Sequence, residues 1–423
     1  MEEISRIRQW IREHREDAVW LLQKLVQCDS VQGSEKKVQH IVAEKLKSIG
    51  FETEMWEPDG EELIKHPFFY SPRQSFEGSP NVAGRRRGKG KGKSILLNGH
   101  VDVVPEGDHK QWTYPPYSGH IVNGRLYGRG ATDMKGGNVS LLLALEAFHA
   151  LDITLKGDVI FHSVVEEESG GAGTLSAILK GYTADAAIIP EPSHMKIFPI
   201  QQGSKWFRLH VKGRAAHGGT RYHGVSAIEK SHVVLSHVAE LEALRNERIT
   251  EPLFKDIPIP VPINIGKIEG GDWPSSVADL VLLEGRLGIM PGETVQQAEE
   301  EFEKYIATLD QKDDWFKKHQ VEVEWFGARW LPSSIETNHP LVELLMEQYA
   351  EVAGQPPKIE AAPWGTDGGL LSHVANIPVI VFGPGTTELA HYPNESIDLQ
   401  HVMEAAEMIA GTIVKWCEIA EGE

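Results

Sequence analysis

Cysteine is almost missing from this chain: two thiols, Cys28 and Cys417, in 423 residues. Two thiols so far apart build no disulfide framework, so the expectation is a reducing, cytoplasmic setting. Positive charge is also short, with 42 lysines and arginines against 61 aspartates and glutamates, a formal net charge of −19. That balance argues against nucleic acid and anionic membranes as partners and favours solubility. No window is long and apolar enough to span a bilayer. The charged, helix-like stretch from Met1 to Arg15 has no apolar signal core. There is no G-x-S-x-G elbow, no Walker loop and no H-E-x-x-H helix, and neither cysteine lies near a histidine-rich turn. Ser169 is the hydroxyl nearest an acidic run, but no elbow pattern surrounds it, and a turn or cap serine is the expectation.

What remains is an ordinary globular balance, 41% hydrophobic and 24% charged, in a chain too long for one core. Apolar spacing predicts amphipathic helices over 4–27 and 35–49 and a strand over 51–56. Residues 57–80 carry proline, glycine and aromatics without a period and read as an inserted loop close to the site. The basic run Gly84–Lys93 lies between strand-like segments, and a solvated hairpin turn is expected there rather than a nucleic-acid patch. From about Ser204 to residue 328 the pattern is β-α-β-β-α-β, the ferredoxin-like order of a compact insertion. α/β texture precedes and follows it. The expected architecture is therefore α/β: a discontinuous domain over 1–203 and 329–423 with a mixed sheet flanked by helices, and an inserted α+β domain over 204–328.

The chemistry gathers around Gly99-His100-Val101-Asp102. An apolar run from Ile95 ends in a histidine, and an aspartate follows at the strand period of two. A neutral imidazole there can bind a metal through one nitrogen while a carboxylate accepts the other N–H. Asp133 stands in the glycine-rich Gly128–Gly137 turn before a helix; an N-cap is its plain alternative. Glu166-Glu167-Glu168 follows an apolar strand at its carboxyl end, where ligands gather in open α/β sheets. Glu191-Pro192 closes another short strand, and His391 lies in a later turn. His100, Asp133, Glu168, Glu191 and His391 form an oxygen and nitrogen set suited to Zn²⁺, Co²⁺ or Mn²⁺. Five ligands exceed one tetrahedral site and suit two ions with a bridging carboxylate. Glu167, beside a ligand, is then the natural general base.

Taken together, Gly99–Asp102, Gly130–Gly137, Glu167-Glu168 and Glu191-Pro192 resemble the dinuclear-zinc metallohydrolases that include acetylornithine deacetylase, succinyl-diaminopimelate desuccinylase, aminoacylase and glutamate carboxypeptidase. The likeness covers nearly the whole chain. It implies that His100 and Glu191 hold one metal, Glu168 and His391 the other, and Asp133 bridges them. It also implies that Asp102 orients His100 and that Glu167 moves the proton; the peptide after Asp133 is often cis in that family. The insertion would be a lid and dimerisation domain. Its turn histidine, His217, would reach the partner's active site in a homodimer and steady the oxyanion, whereas the sequence alone favours a surface histidine in a glycine-rich turn. Arg286 matches an arginine that binds a substrate carboxylate, with a strand-edge salt bridge as the alternative. Gly365, Thr366 and Asp367 match a loop lining the pocket.

Two departures bear on the substrate. Many relatives carry an asparagine where this chain has Trp273-Pro274-Ser275-Ser276, so an ordinary N-acyl amino acid is in question. Glu191 stands where the aminopeptidases of the family have aspartate, which favours deacylation of a small-molecule N-acyl amine. The segments 258–276 and 363–369 resemble a branch that includes the formylaminopyrimidine deformylase of thiamine salvage. A dipeptidase or carboxypeptidase with the same chemistry, and a catalytically inactive binding module, are the alternatives.

Overall fold

The structure, a computed structural model, describes residues 2–420. The chain divides into two compact units. The first runs through Ile200 and returns over Ser333–Glu360 and from Asp367 onward; the second comprises Gln201–Pro332 and Ala361–Thr366.

The sheet of the first unit takes the order Glu52–Trp56, Asn81–Arg86, Val159–Val164, Ile95–His100, Ala186–Ile189, Val379–Val381, Ile197–Gln201, Ser333–Ser334. Its four middle strands, Val159–Val164 through Val379–Val381, are parallel. Every residue of these four is buried. Helices packed on a parallel sheet leave neither face to water, so such strands read as unbroken apolar runs rather than alternating ones. Helix Gly136–Ala150 packs against Leu399–Cys417 and is buried on nearly all sides, which explains its weak amphipathic signal. Among the described residues no helix is long and apolar enough to cross a membrane.

Two local expectations are corrected and one alternative is removed. The helix expected over 4–27 is two, Glu2–Glu13 and Arg15–Val26. Ile4, Ile7, Ile11 and Ala18 continue one buried stripe, but His14 falls on it. Its backbone leaves helical values at φ −103°, ψ 26°, and its Nδ1 lies 2.8 Å from the Trp10 carbonyl. The basic run is not a hairpin turn. Strands Asn81–Arg86 and Ile95–His100 do not pair with each other, since Val159–Val164 lies between them, antiparallel to the first and parallel to the second. The glycines serve close approach instead: a Cβ on Gly88 would fall 2.3 Å from the Lys156 carbonyl oxygen. Finally, Asp133 is no N-cap, because the helix begins at Gly136 while Asp133 is extended at φ −122°, ψ 95°.

In the second unit the sheet order is Ile263–Gly270, Leu280–Ile289, Gly203–Lys212, Glu322–Trp330, antiparallel throughout. With helices Ala227–Glu247 and Val295–Ala307 this is the ferredoxin-like arrangement. Phe207, Leu209 and Val211 are buried while Arg208 and His210 are not, so one sheet face forms the core with Leu283, Leu287 and Phe302.

Candidate metal centre

The parallel strands deliver the acids and histidines at their carboxyl ends, as open α/β sheets do. His100 is the last residue of Ile95–His100; Glu167 and Glu168 follow Val159–Val164; Glu191 follows Ala186–Ile189; His391 follows Val379–Val381. Asp133 comes from the turn ahead of helix Gly136–Ala150, and the Asp133–Met134 peptide is cis.

The structure brings the five expected ligands together. Asp133 stands between the histidines: Oδ1 is 3.2 Å from His100 Nε2, and Oδ2 is 3.3 Å from His391 Nε2. On the His100 side, Glu191 Oε1 lies 3.5 Å from Nε2. On the other side, Glu168 Oε2 lies 3.1 Å from His391 Nε2. Glu167 Oε2 is 4.0 Å from His100 Nε2. One donor atom each from His100, Asp133 and Glu168, and one each from His100, Glu167 and Glu191, fall within 4.8 Å of one another. His391 is the exposed member and takes a left-handed φ of 59°.

These groups hold one another far from their ordinary protonation. Burial alone would lower the His100 pKa, but Glu191 and hydrogen bonds to Asp102, Asp133 and Glu191 hold it well above the imidazole range. Glu168 raises His391 to about 11. Burial and then the Asp133 charge push Glu191 up to about 7 and raise Glu168 as well. Burial raises Glu167 well above the carboxylate range, against His100 and with Glu191. Asp133 goes the other way: burial opposes it, yet its hydrogen bonds to both histidines keep it low. Carboxylates crowded out of water attract compensating positive charge. A divalent cation supplies that charge, so the donor set fits metal.

The support around the donors differs in part from the expectation. Asp102 was expected to orient His100. The nearer acceptor for His100 Nδ1 is the Asp102 backbone carbonyl, at 2.9 Å, with the carboxylate at 3.5 Å. The carboxylate instead accepts the N–H groups of Glu167 and Glu168, at 3.3 and 3.1 Å. Asp102 thus ties the acidic turn to the histidine strand. Glu395 was not foreseen at all. Fully buried, it accepts the N–H groups of Gly130, Thr132 and Asp133 and pairs with buried Arg129 at 2.6 Å. A buried arginine needs an acid, so Arg129 inside the glycine block was the signal that could have pointed to it. Asn138 Nδ2 donates to the His100 carbonyl at 2.6 Å.

The remaining expected residues are divided between the two units. His217 is exposed in the second unit, and its Nδ1 accepts the Gly219 N–H at 3.1 Å. This leaves the ring proton on Nε2, as a donor. Ser275 accepts the Gly218 N–H at 2.6 Å, so the segment that replaces the asparagine is tied to this histidine turn. Arg286 lies in strand Leu280–Ile289; no carboxylate among the described residues pairs with it, and burial lowers its pKa to about 10. The strand-edge salt bridge is therefore not formed. Gly365 and Thr366 belong to the second unit, where Thr366 Oγ1 donates to Gln201 at 2.7 Å. Asp367 belongs to the first; it is buried, accepts from Thr174 at 2.6 Å, and is raised to about 7 by burial.

The sequence profile of Peptidase family M20/M25/M40 matches residues 96–415. The N-formyl-4-amino-5-aminomethyl-2-methylpyrimidine deformylase of Bacillus subtilis (strain 168) is 30% identical to this chain, with 98% of each covered. The acetylornithine deacetylase of Pectobacterium atrosepticum is 29% identical over 78% of this chain and 82% of its own. Among solved structures, human carnosine dipeptidase 1 superposes with a TM-score of 0.76 at 18% identity, covering 98% of this chain and 100% of its own, a likeness of fold alone.

Proposed function

The chain belongs to Peptidase family M20/M25/M40, and on that premise we propose that this metal-dependent amide hydrolase is a deacylase releasing a small acyl group, formyl foremost, from the aminomethyl nitrogen of an aromatic substrate. The observation that carries the two-metal reading is Asp133, one oxygen 3.2 Å from His100, which Glu191 also approaches, and the other 3.3 Å from His391, which Glu168 also approaches. Those residues would hold two divalent ions, Zn²⁺ first and Co²⁺ or Mn²⁺ otherwise, which when bound supply an ionised water and a polarised carbonyl at neutral pH.

The chain's own residues do the rest. Glu167 takes a proton from water and delivers it to the leaving amine. Asp102 holds the Glu167 and Glu168 amides, so base and ligand move as one piece. His217 offers an Nε2–H to the carbonyl oxygen that gains charge, from the partner subunit of a homodimer. The two cysteines are free and buried, and we place the enzyme in the cytoplasm.

The formylated aminomethylpyrimidine is the first substrate because the 30% identity to its deformylase runs the length of both chains. Arg286, which no carboxylate among the described residues pairs with, favours a second reading, an N-acyl amino acid whose carboxylate it would bind. Turnover by the zinc- or cobalt-loaded protein on N-formylaminomethyl-pyrimidine, N-acetylornithine, N-succinyl-diaminopimelate and two dipeptides, with a chelator control, separates them. Chelator-sensitive release of formate from the pyrimidine alone supports the first reading. Preference for an N-acyl amino acid replaces it with the second, and preference for a dipeptide removes both.

A further inference from the structure

The inserted loop 57–80 has no role in the reaction as read above, yet it is bonded to the turn that carries Glu167 and Glu168. Arg73 is the centre of that contact. Its Nη1 donates to Glu166 Oε2 at 3.1 Å and to Glu35 Oε1 at 3.3 Å; its Nη2 donates to Ser79 Oγ at 2.8 Å and its Nε to the Ser75 carbonyl at 3.2 Å. The guanidinium also lies over Phe76, 5.0 Å from the ring centre. The other Glu166 oxygen accepts from Ser71 at 2.6 Å, Gln32 at 2.8 Å and Ser169 at 2.9 Å. Loop and turn meet through backbone as well, since a Cβ on Gly170 would fall 1.8 Å from the Tyr70 carbonyl oxygen.

Glu166 immediately precedes the base. It is fully buried and holds a left-handed φ of 70°. A non-glycine residue keeps that conformation only where its surroundings over-determine it. Here the surroundings are one guanidinium and three donors, and the loop supplies the guanidinium and one donor, Ser71. The same guanidinium faces Glu35, also fully buried, so a single cation serves two buried carboxylates. Removing it leaves both uncompensated, and the arrangement cannot persist unchanged.

We propose that Arg73 is a positioning residue for the reaction: it clips the loop onto the acidic turn and, through Glu166, sets where the Glu167 and Glu168 carboxylates stand. The proposal rests on Glu167 as the base and Glu168 as a metal ligand.

The test compares Arg73→Ala and Arg73→Lys in the full-length, zinc-loaded protein, on whichever panel substrate the wild type hydrolyses. Arg73→Ala should lower kcat about 10- to 100-fold, the usual cost of a lost supporting residue, with little change in KM. Added methylguanidinium should restore part of that loss, and Arg73→Lys, which keeps the charge without the fork, should fall between the two. Glu166→Gln should cost less in the Arg73→Ala background than in the wild type. A wild-type kcat in Arg73→Ala, whatever its melting temperature, overturns the proposal, as does a loss additive with Glu166→Gln. If Arg73→Ala does not fold, Arg73→Lys carries the same comparison. If the wild type hydrolyses nothing on the panel, the substrate reading fails on its own, and calorimetric titration with Zn²⁺ still decides this point. Affinity weakened about 10-fold or more in the variant supports it, and equal affinity overturns it.

Discussion

The turn at Gly128–Gly136 is held by one carboxylate that comes with its own cation. Glu395 accepts three amides of the turn while Arg129, from that same turn, neutralises it at 2.6 Å. The acidic turn Glu166–Gly171 is held by acids. Asp102 accepts two of its amides, and buried Glu166 and Glu35 share Arg73. Both turns deliver carboxylates to one centre, but the first closes its charge balance locally. The second borrows positive charge from a distant loop and from whatever cation the centre binds. Asp133 should therefore be preformed without metal, and Glu167 and Glu168 should depend on it.

The largest effect tests the acidic turn's chemistry. Glu167→Gln should lose about 10²- to 10⁴-fold in kcat, the range of general base catalysis, while metal analysis finds the bound ion unchanged. A near-wild-type kcat would move the base to another residue. Next comes the self-balanced turn. Glu395→Ala leaves Arg129 buried without its acid and three amides without an acceptor. It should cost about 3 to 5 kcal/mol in denaturant unfolding, with metal or without. A cost that vanishes on chelation would make this turn as metal-dependent as the other and break the contrast.

Metal removal is the direct comparison. A bound ion at 100 to 1,000 times its Kd contributes about 3 to 4 kcal/mol, and chelation should remove that stability. Hydrogen exchange should then show amides 167–171 losing protection while 130–133 keep theirs; equal loss in both would refute the difference. The smallest effect concerns the strand leading into the acidic turn. His162 is buried, its Nδ1 lies 3.2 Å from Asn98 Nδ2 and its Nε2 3.0 Å from the Tyr182 carbonyl, an arrangement for neutral imidazole. Burial lowers its pKa from 6.5 to about 4. The unfolded chain takes this proton first, so its contribution is complete above pH 6.5 and is lost as pH falls toward 4. The amount is at most about 3 kcal/mol. His162→Gln should flatten that part of the stability profile, and an unchanged acid limb would show that His162 charges freely in the folded state.

Much of the site was legible because its ligands sit in local patterns. His100 ends an apolar run, Asp133 lies among glycines, and Glu167-Glu168 and Glu191 close apolar strands. The ferredoxin-like order was legible too, since strand and helix periods alternate plainly over 204–328. The supports were not. Glu395 meets its partners across more than 260 residues, and Arg73 reaches Glu166 from a loop with no period at all. The short strands Arg125–Tyr127 and Ser396–Asp398, which pair just beside Glu395, are three residues each, too brief to show a period. The basic run misled for a related reason: strands adjacent in sequence suggest a hairpin, and only the sheet shows Val159–Val164 inserted between them.

The sequence by itself determined which residue types stand at which strand ends, because burial and period act on neighbours along the chain. It thereby determined the fold class and the donor chemistry. Only the tertiary structure decided that Asp133 faces both histidines, that the Asp102 carboxylate binds the acidic turn, and that no acid among the described residues pairs with Arg286. These are matters of charge and hydrogen-bond partners brought within about 3 Å from segments far apart in the chain, and no local pattern encodes such a meeting.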